Sequence, residues 1–501
     1  MKSQNISKRI VKNSFWSFSS AIINRLGALV FTIILARFLM PEGYGIYSIV
    51  LSTAMIFYTF ADLGINQTLV RYISSALARD RKKVPSYHRY LLKIKFFLSL
   101  LVSLLLLVMA YPISIYIFKN NLLTAPFFVA AFYIFILSFE GFYSQVFYSI
   151  EKVHYLGIKE TLSQILRIVF ALLVFYFIAS SYQVMGIFAS LIIISLILLS
   201  FSLYYTKKLI PDLYKKPRAV IDKKRVRKFV GFLTIASISS VFFSYVDSIM
   251  LGLFVTPEFV GYYKAAFSLV IGAMGLTFFP PVVLLPIFTK LRKSPKLEYL
   301  MNNIFRYITI TSIPAMFGIV LLGKYFIRIF YGYSYLPSSL SLYFLAFLIL
   351  PSVAVSVLLY LYSAEEKPQI FARLIIITSL INIILNLILI KAFLLISPLW
   401  ATAGASIATI ISWYVYFILS IYISKKEFNI KMNLNLIVKP LISSLIMAGI
   451  LFYLISLIED MTLFLGANIV ILGILIYFIC LFLMKGLKKE DINLIKLLFK
   501  K

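Results

Sequence analysis

The chain alternates between long apolar stretches and short polar breaks. About fourteen stretches are long enough to cross a bilayer core of about 30 Å as a helix, which takes roughly 20 residues. They run over residues 15–39, 44–70, 90–117, 122–150, 155–179, 183–206, 229–254, 260–289, 297–322, 339–363, 370–393, 398–424, 436–458 and 463–484. Apolar and polar residues do not alternate within them as they would in a membrane barrel. Backbone groups in lipid must be satisfied within the segment, so each stretch is read as a helix. The expected fold class is an all-α polytopic membrane protein with about 14 transmembrane helices.

Two of the breaks share a pattern. Residues 38–47 read FLMPEGYGIY and residues 254–263 read FVTPEFVGYY, both F-x-x-P-E-x-x-G-x-Y at an offset of 216. Pro41 and Pro257 suit the first turn of a helix. Glu42 and Glu258 beside them suit its positive end. Gly45 and Gly261 complete the shared motif, which we read as structural. Such duplication implies two similar halves. Six spans, an even number, precede the second copy, so the repeats are expected to be parallel, related by an axis along the membrane normal. The expected organisation is a six-helix lobe at 1–206, a basic linker at 207–228, a second six-helix lobe at 229–424, and two extra helices with a tail at 425–501. Leu487, Ile492, Ile495 and Phe499 lie among lysines in that tail, which is expected to rest on the membrane surface.

Charge orients this scheme. The chain is 62% hydrophobic and 13% charged, with a formal net charge of +31. Lysines and arginines crowd alternate breaks: Lys8 and Arg9, Arg79–Lys83, the stretch 207–228, Lys290 and Arg292, Lys425 and Lys426, and Lys488 and Lys489. The positive-inside rule then places both termini in the cytoplasm, with the chain in the plasma (inner) membrane. Charges so placed meet anionic membrane lipids, and nucleic acid is not an expected partner. The other breaks are too short to hold a catalytic domain. The sequence has no P-loop and no metal-ligand spacing, and its two histidines, His88 and His154, read as surface residues near cytoplasmic ends. Neither enzymatic activity nor a cofactor is expected. The first stretch carries Asn24 and Arg25 and is too long for a cleaved signal, so it is expected to be retained. Cys480 reads as an apolar core residue.

Ionisable residues within spans point to cavities or partners. Arg25 and Asp62 lie at similar depth, about 24–27 Å below the first repeated turn at 1.5 Å per residue. They either pair or flank one aqueous cavity. Glu140 and Arg167 form a second depth-matched pair, read as structural. Asp247 and Lys264 flank the second repeated turn, and Arg306 lies too deep in its span to snorkel easily. The candidate substrate-binding cations are Arg25, Lys264 and Arg306, since guanidinium and ammonium groups suit phosphate. The candidate ion-coupling or gating residues are Asp62 and Asp247. Gly64, Pro280, Pro281 and Pro286 are expected to interrupt helices.

The first two spans carry Ala36, Arg37, Leu39, Pro41, Tyr44, Gly45 and Tyr47, followed by Asp62, Leu63 and Gly64. This A-R-x-L-x-P-x-x-Y-G-x-Y and D-L-G pattern resembles polysaccharide (Wzx-type) flippases of the multidrug/oligosaccharidyl-lipid/polysaccharide exporter superfamily. The stretch VDSIMLGLFVTPEFVGYYKAAFSLV resembles the seventh-to-eighth span region of the same family. The resemblance implies two lobes packed as a V around a cationic cavity, rocking for alternating access. It implies a polyprenyl-(pyro)phosphate-linked oligosaccharide as substrate, membrane lipids as surroundings, and glycan-assembly enzymes as partners. It carries the phosphate-binding role to Arg25 by position, and more loosely to Lys264. The alternatives are a cation-coupled multidrug exporter on the same scaffold and a lipid II flippase. A membrane sugar polymerase or ligase is disfavoured by the short outer breaks.

Overall fold

The computed structural model describes residues 2–217, 219–277, 284–292, 294–458, 461–487 and 491. Helices run through it, with no strand among the described residues. In chain order they are α1 (Lys2–Asp62), α2 (Ile65–Arg79), α3 (Val84–Pro112), α4 (Thr124–Ser149), α5 (Val153–Phe177), α6 (Gln183–Leu209), α7 (Lys223–Phe254), α8 (Pro257–Thr277), α9 (Leu284–Lys290), α10 (Pro295–Phe330), α11 (Ser338–Leu345), α12 (Ile349–Ala364), α13 (Pro368–Leu394), α14 (Pro398–Phe428), α15 (Val438–Ser456) and α16 (Leu463–Leu483). Eleven segments among the described residues are long and apolar enough to cross a membrane, and Phe243–Phe254 is a shorter apolar helix. One of the eleven, Ile22–Arg79, carries both the first and the second expected span, which accounts for part of the difference from fourteen. The protein is an all-α, multi-pass membrane protein. Pro280, Pro281 and most of the expected surface tail lie outside the described residues.

Two breaks in the first span pair follow from local chemistry. Met40 has φ 58 and ψ 172, a conformation that costs a non-glycine residue strain. The residue before a proline is driven away from the helical region, so Pro41 forces the kink there and restarts the helix. The second break is Leu63–Gly64, both at positive φ, with α2 beginning at Ile65. The expected interruption at Gly64 is therefore present.

The chain divides into two compact units, residues 1–264 with 369–405, and residues 265–368 with 406–501. In the first, α2, α3 and α4 build a core from Ile65, Leu69, Ile73, Leu91, Phe142 and Val146. In the second, α10, α15 and α16 meet through Leu322, Met447, Leu451, Ile469 and Tyr477.

Side chains follow the rule for helices in lipid, with large apolar groups outward and small or polar groups at helix contacts. On α3, Phe97, Leu101, Leu105 and Val108 are exposed, while Lys95, Ser99, Ser103 and Ala110 are buried. Ser99 bonds Ser138 at 2.6 Å, and Ser103 donates to the Ala131 carbonyl at 2.5 Å, fastening α3 to α4. On α13, Leu380, Ile384 and Ile388 face outward while Thr378, Asn382 and Asn386 are fully buried.

His88 departs from expectation. It is buried, not a surface residue, among the rings of Phe142, Tyr143 and Tyr214 at 5.7–5.8 Å. The segment after α6 folds back onto α3 to cover it. Ser86 donates to the Ala219 carbonyl at 2.7 Å, and Thr206 bonds the Tyr214 hydroxyl at 2.6 Å.

Candidate transport site

The two copies of the duplicated turn meet within the first unit. A β-carbon on Gly45 would collide with the Pro257 carbonyl, and one on Gly261 would collide with the Pro41 carbonyl. Those built carbons would also stand 3.1 Å from the Gly261 nitrogen and 3.3 Å from the Gly45 nitrogen. Each motif's glycine thus seats on the other motif's proline. Backbone meets backbone at a distance that only glycine permits. Tyr44 and Tyr263 are buried beside this contact. One turn further, α8 begins at Pro257 with Glu258 in its first turn, as the motif predicts, and Tyr262 donates to Glu258 at 2.5 Å.

Asp62 does not pair with Arg25. Its Oδ1 takes the Lys95 ammonium from α3 at 2.6 Å and lies 3.4 Å from the backbone nitrogen of Asn66. Lys95 is fully buried, so this pair pins the Leu63–Gly64 break against α3. From α7, Thr234 donates to the Leu63 carbonyl at 3.1 Å. Arg25 is half-buried on α1. Its neighbour Asn24 bonds Glu160 and Gln164 of α5.

Glu140 does not pair with Arg167. The Lys159 ammonium holds Glu140 Oε1 at 2.5 Å, with Glu160 at 3.0 Å and Ser144 at 3.2 Å completing its shell. Both partners of the first contact are only 7% exposed.

Asp247 is buried. One carboxylate oxygen accepts from the Tyr263 hydroxyl and the other from the Asn386 amide, each at 2.8 Å. Asn386 also donates to the Asn382 carbonyl at 3.0 Å. Among the described residues, neither side-chain polar atom of Asn382 has a hydrogen-bond partner, and neither does Asn386 Oδ1. Buried amides without partners are rare and call for a reason. Asn382 and Asn386 were not recognised from sequence. Their i, i+4 spacing in an otherwise apolar span was the available signal. Lys264 stands within electrostatic range of Asp247, its ammonium 5.7 Å from the Tyr245 ring centre.

Arg306 belongs to the second unit. It lines a cavity of about 650 Å³ with Glu298, Asn302 and Lys431. Both its terminal nitrogens are committed to Asp491, at 2.8 and 2.6 Å, and the Tyr307 hydroxyl reaches the same carboxylate at 2.6 Å. Arg306 is thus a buried cation whose charge is paired with Asp491, while its Nε has no hydrogen-bond partner among the described residues. Asp491 lies beyond the last span, so span-depth reasoning did not find it. Among the described residues no group of three or more His, Cys, Asp or Glu side chains is arranged to hold a metal ion.

Comparison with known proteins places this architecture. Over 245 residues the chain is 30% identical to the Haloferax volcanii protein named "Probable low-salt glycan biosynthesis flippase Agl15", covering 48% of this chain and 49% of that one. The chain thus matches about half the length of that relative. The lipid II flippase MurJ in an inward closed conformation shares its fold, with a TM-score of 0.72 at 18% identity over 94% of this chain and 98% of MurJ. An inward-facing multidrug resistance MATE family transporter of the MOP superfamily superposes with a TM-score of 0.59 at 12% identity, covering 83% and 95% of the two chains. Residues 10–292 match the polysaccharide biosynthesis protein family, and the chain belongs to that family.

Proposed function

We propose that the protein is a flippase that carries a polyprenyl-(pyro)phosphate-linked oligosaccharide from the cytoplasmic to the outer leaflet. It is not an enzyme. The lobes 1–206 and 229–424, joined by the basic linker 207–228, rock about a cationic cavity to give alternating access. Both termini are cytoplasmic and the membrane is the plasma (inner) membrane. The head group of such a lipid is too polar to cross hydrocarbon unaided, whereas its tail is at home there. A cationic passage shelters the former and leaves the latter in lipid.

The observation that carries the reading is the reciprocal seating of Gly45 and Gly261. Two copies of one turn, closing on each other through their backbones, make a seam along which the two hairpins can part. The seam is the outer gate. Similarity to a glycan biosynthesis flippase supports the substrate class.

Within this scheme Arg25 meets the phosphate, and Lys264 assists from α8. Arg306 is left out of the substrate path because a carboxylate, Asp491, already takes its charge and both terminal nitrogens, as none does for Arg167. Asp247 is the ion-coupling residue, with the amide oxygens of Asn382 and Asn386 as further donors to a proton-driven or sodium-driven step. Oxygen ligands of this kind suit a hard cation. Asp62, clamped by Lys95 at the helix break, is a gating residue.

Reconstitution into proteoliposomes tests the proposal. Translocation of polyprenyl-linked oligosaccharides is followed for the wild type and Arg25→Ala. Movement in the wild type and its loss in the variant are expected. No movement of any such lipid, together with export of cationic dyes, would overturn the reading in favour of a drug exporter. Movement of lipid II alone would assign the chain to that substrate instead.

A further inference from the structure

Arg167 sits fourteen residues after Val153 and ten before Phe177 on α5. At 1.5 Å per residue its Cα is about 21 Å and 15 Å from the helix ends. That is mid-span, beyond what a side chain of about 6 Å bridges by snorkelling. Its expected counter-ion, Glu140, is held by Lys159. Among the described residues Arg167 makes no ion pair and no hydrogen bond, and its Nε is buried without an acceptor. Its guanidinium stands 6.0 Å from the centre of the Phe31 ring, within electrostatic range of Tyr47, Tyr133 and Tyr245. The neighbours so identified are aromatic rings and phenols, none of them a carboxylate.

The repeat sharpens the contrast. At the offset of 216, Phe31 is the counterpart of Asp247. The second half places a carboxylate where the first half places an aromatic ring. The halves have thus acquired opposite local character, one short of an anion beside Arg167 and one holding a buried carboxylate.

A charged side chain deep in a bilayer is costly and persists where it faces a partner or a watered path. A guanidinium offers five donors in a fork that fits an oxyanion through two parallel bonds. We propose that Arg167 binds an oxyanion of the transported molecule, a phosphate or the carboxylate of an acidic sugar, with Tyr47, Tyr133 and Tyr245 around it. This assignment rests on the flippase reading for the identity of the molecule, but not for the anion itself.

The test uses the full-length protein in nanodiscs, with Arg167→Ala, Arg167→Leu and wild type. Probes are inorganic pyrophosphate, a polyprenyl-pyrophosphate carrying a neutral glycan, the same lipid carrying an acidic glycan, and free polyprenol. Wild type is expected to bind pyrophosphate, with at least a tenfold loss in both variants and no change for polyprenol. Equal loss on both glycolipids assigns the contact to phosphate, and loss on the acidic one alone assigns it to the sugar carboxylate. Thermal unfolding separates structure from binding. An uncompensated buried cation predicts that Arg167→Leu melts no lower than wild type, whereas a structural ion pair predicts a lower Tm. Undiminished binding of all three anionic probes by folded variants would overturn the proposal. If wild type binds pyrophosphate through Arg167 but moves no polyprenyl lipid, the flippase reading fails and the anion site stands.

Discussion

Placing one methyl group at Gly261 tests the proposed gate directly. A β-carbon there meets the Pro41 carbonyl, a backbone atom that cannot swing aside as a side-chain end would. The built carbon lies 2.1 Å from that oxygen, so to restore ordinary contact the two turns must part by about 1.4 Å, given that non-bonded contacts lie near 3.5 Å. Overpacking of a tight contact costs about 1–3 kcal/mol. If that cost falls on the closed state alone, the ratio of open to closed outer gates rises about 5–150-fold. Gly45→Ala meets the Pro257 carbonyl and should act in the same way. Because both methyls open one seam, the double variant should fall well short of the sum of the two. A suitable reporter is Ser48→Cys, made in a background where Cys480 is alanine. Ser48 is buried and its hydroxyl bonds the Tyr44 carbonyl at 2.7 Å, so the change is small. Labelling by a membrane-impermeant maleimide from outside should accelerate in either alanine variant by the factor above. Gly318→Ala is the control, since a β-carbon there meets nothing within 4 Å. It should leave labelling unchanged and stabilise its helix by about 0.5–1 kcal/mol. Unchanged labelling in folded Gly45→Ala and Gly261→Ala would refute the idea that this contact is the outer gate.

Three other outcomes follow from the buried charges. Lys95→Met should lower stability by about 3–5 kcal/mol, as expected when one partner of a buried pair is removed, and Lys95→Met with Asp62→Asn should recover much of it; thermal unfolding in detergent measures both. Arg306→Met should lose a similar amount through its bidentate bond to Asp491 while leaving the affinity for a lipid-linked oligosaccharide unchanged, which a binding titration checks. Asp247→Asn and Asn382→Leu should each abolish stimulation of transport by an imposed sodium or proton gradient and leave downhill substrate binding within about threefold, a difference below 1 kcal/mol; proteoliposome flux with and without the gradient separates the two effects.

Helices and the order of breaks were readable because hydrophobic length is a strong, local signal. The motif's prolines were readable for the same reason: helix starts at Pro41 and Pro257 depend on the residue itself. That the two copies touch was not readable, since two similar turns can equally well stand apart. Only the collision of built β-carbons with the opposite carbonyls gives Gly45 and Gly261 their meaning.

Partner choice among membrane charges was misread for a geometric reason. Counting from the turn between α4 and α5, Glu140 lies nine residues back from Ser149, Lys159 six forward from Val153, and Arg167 fourteen forward. At 1.5 Å per residue, Lys159 is about 4 Å from the level of Glu140 and Arg167 about 8 Å. The depth-matched pairing of Glu140 with Arg167 left Lys159 out of account. Its neighbour Glu160 and the buried Ser144 make a complete polar shell there instead. Arg167, eight residues further along the same helix, points about 80° away at 100° per residue. Glu140 therefore cannot serve both cations, and satisfying the one nearer the surface leaves the deeper one without a carboxylate. A span that closes its shallow charge and leaves its deep charge open is arranged as a binding surface would be, and that asymmetry gives Arg167 a stronger claim than depth alone gives Arg25.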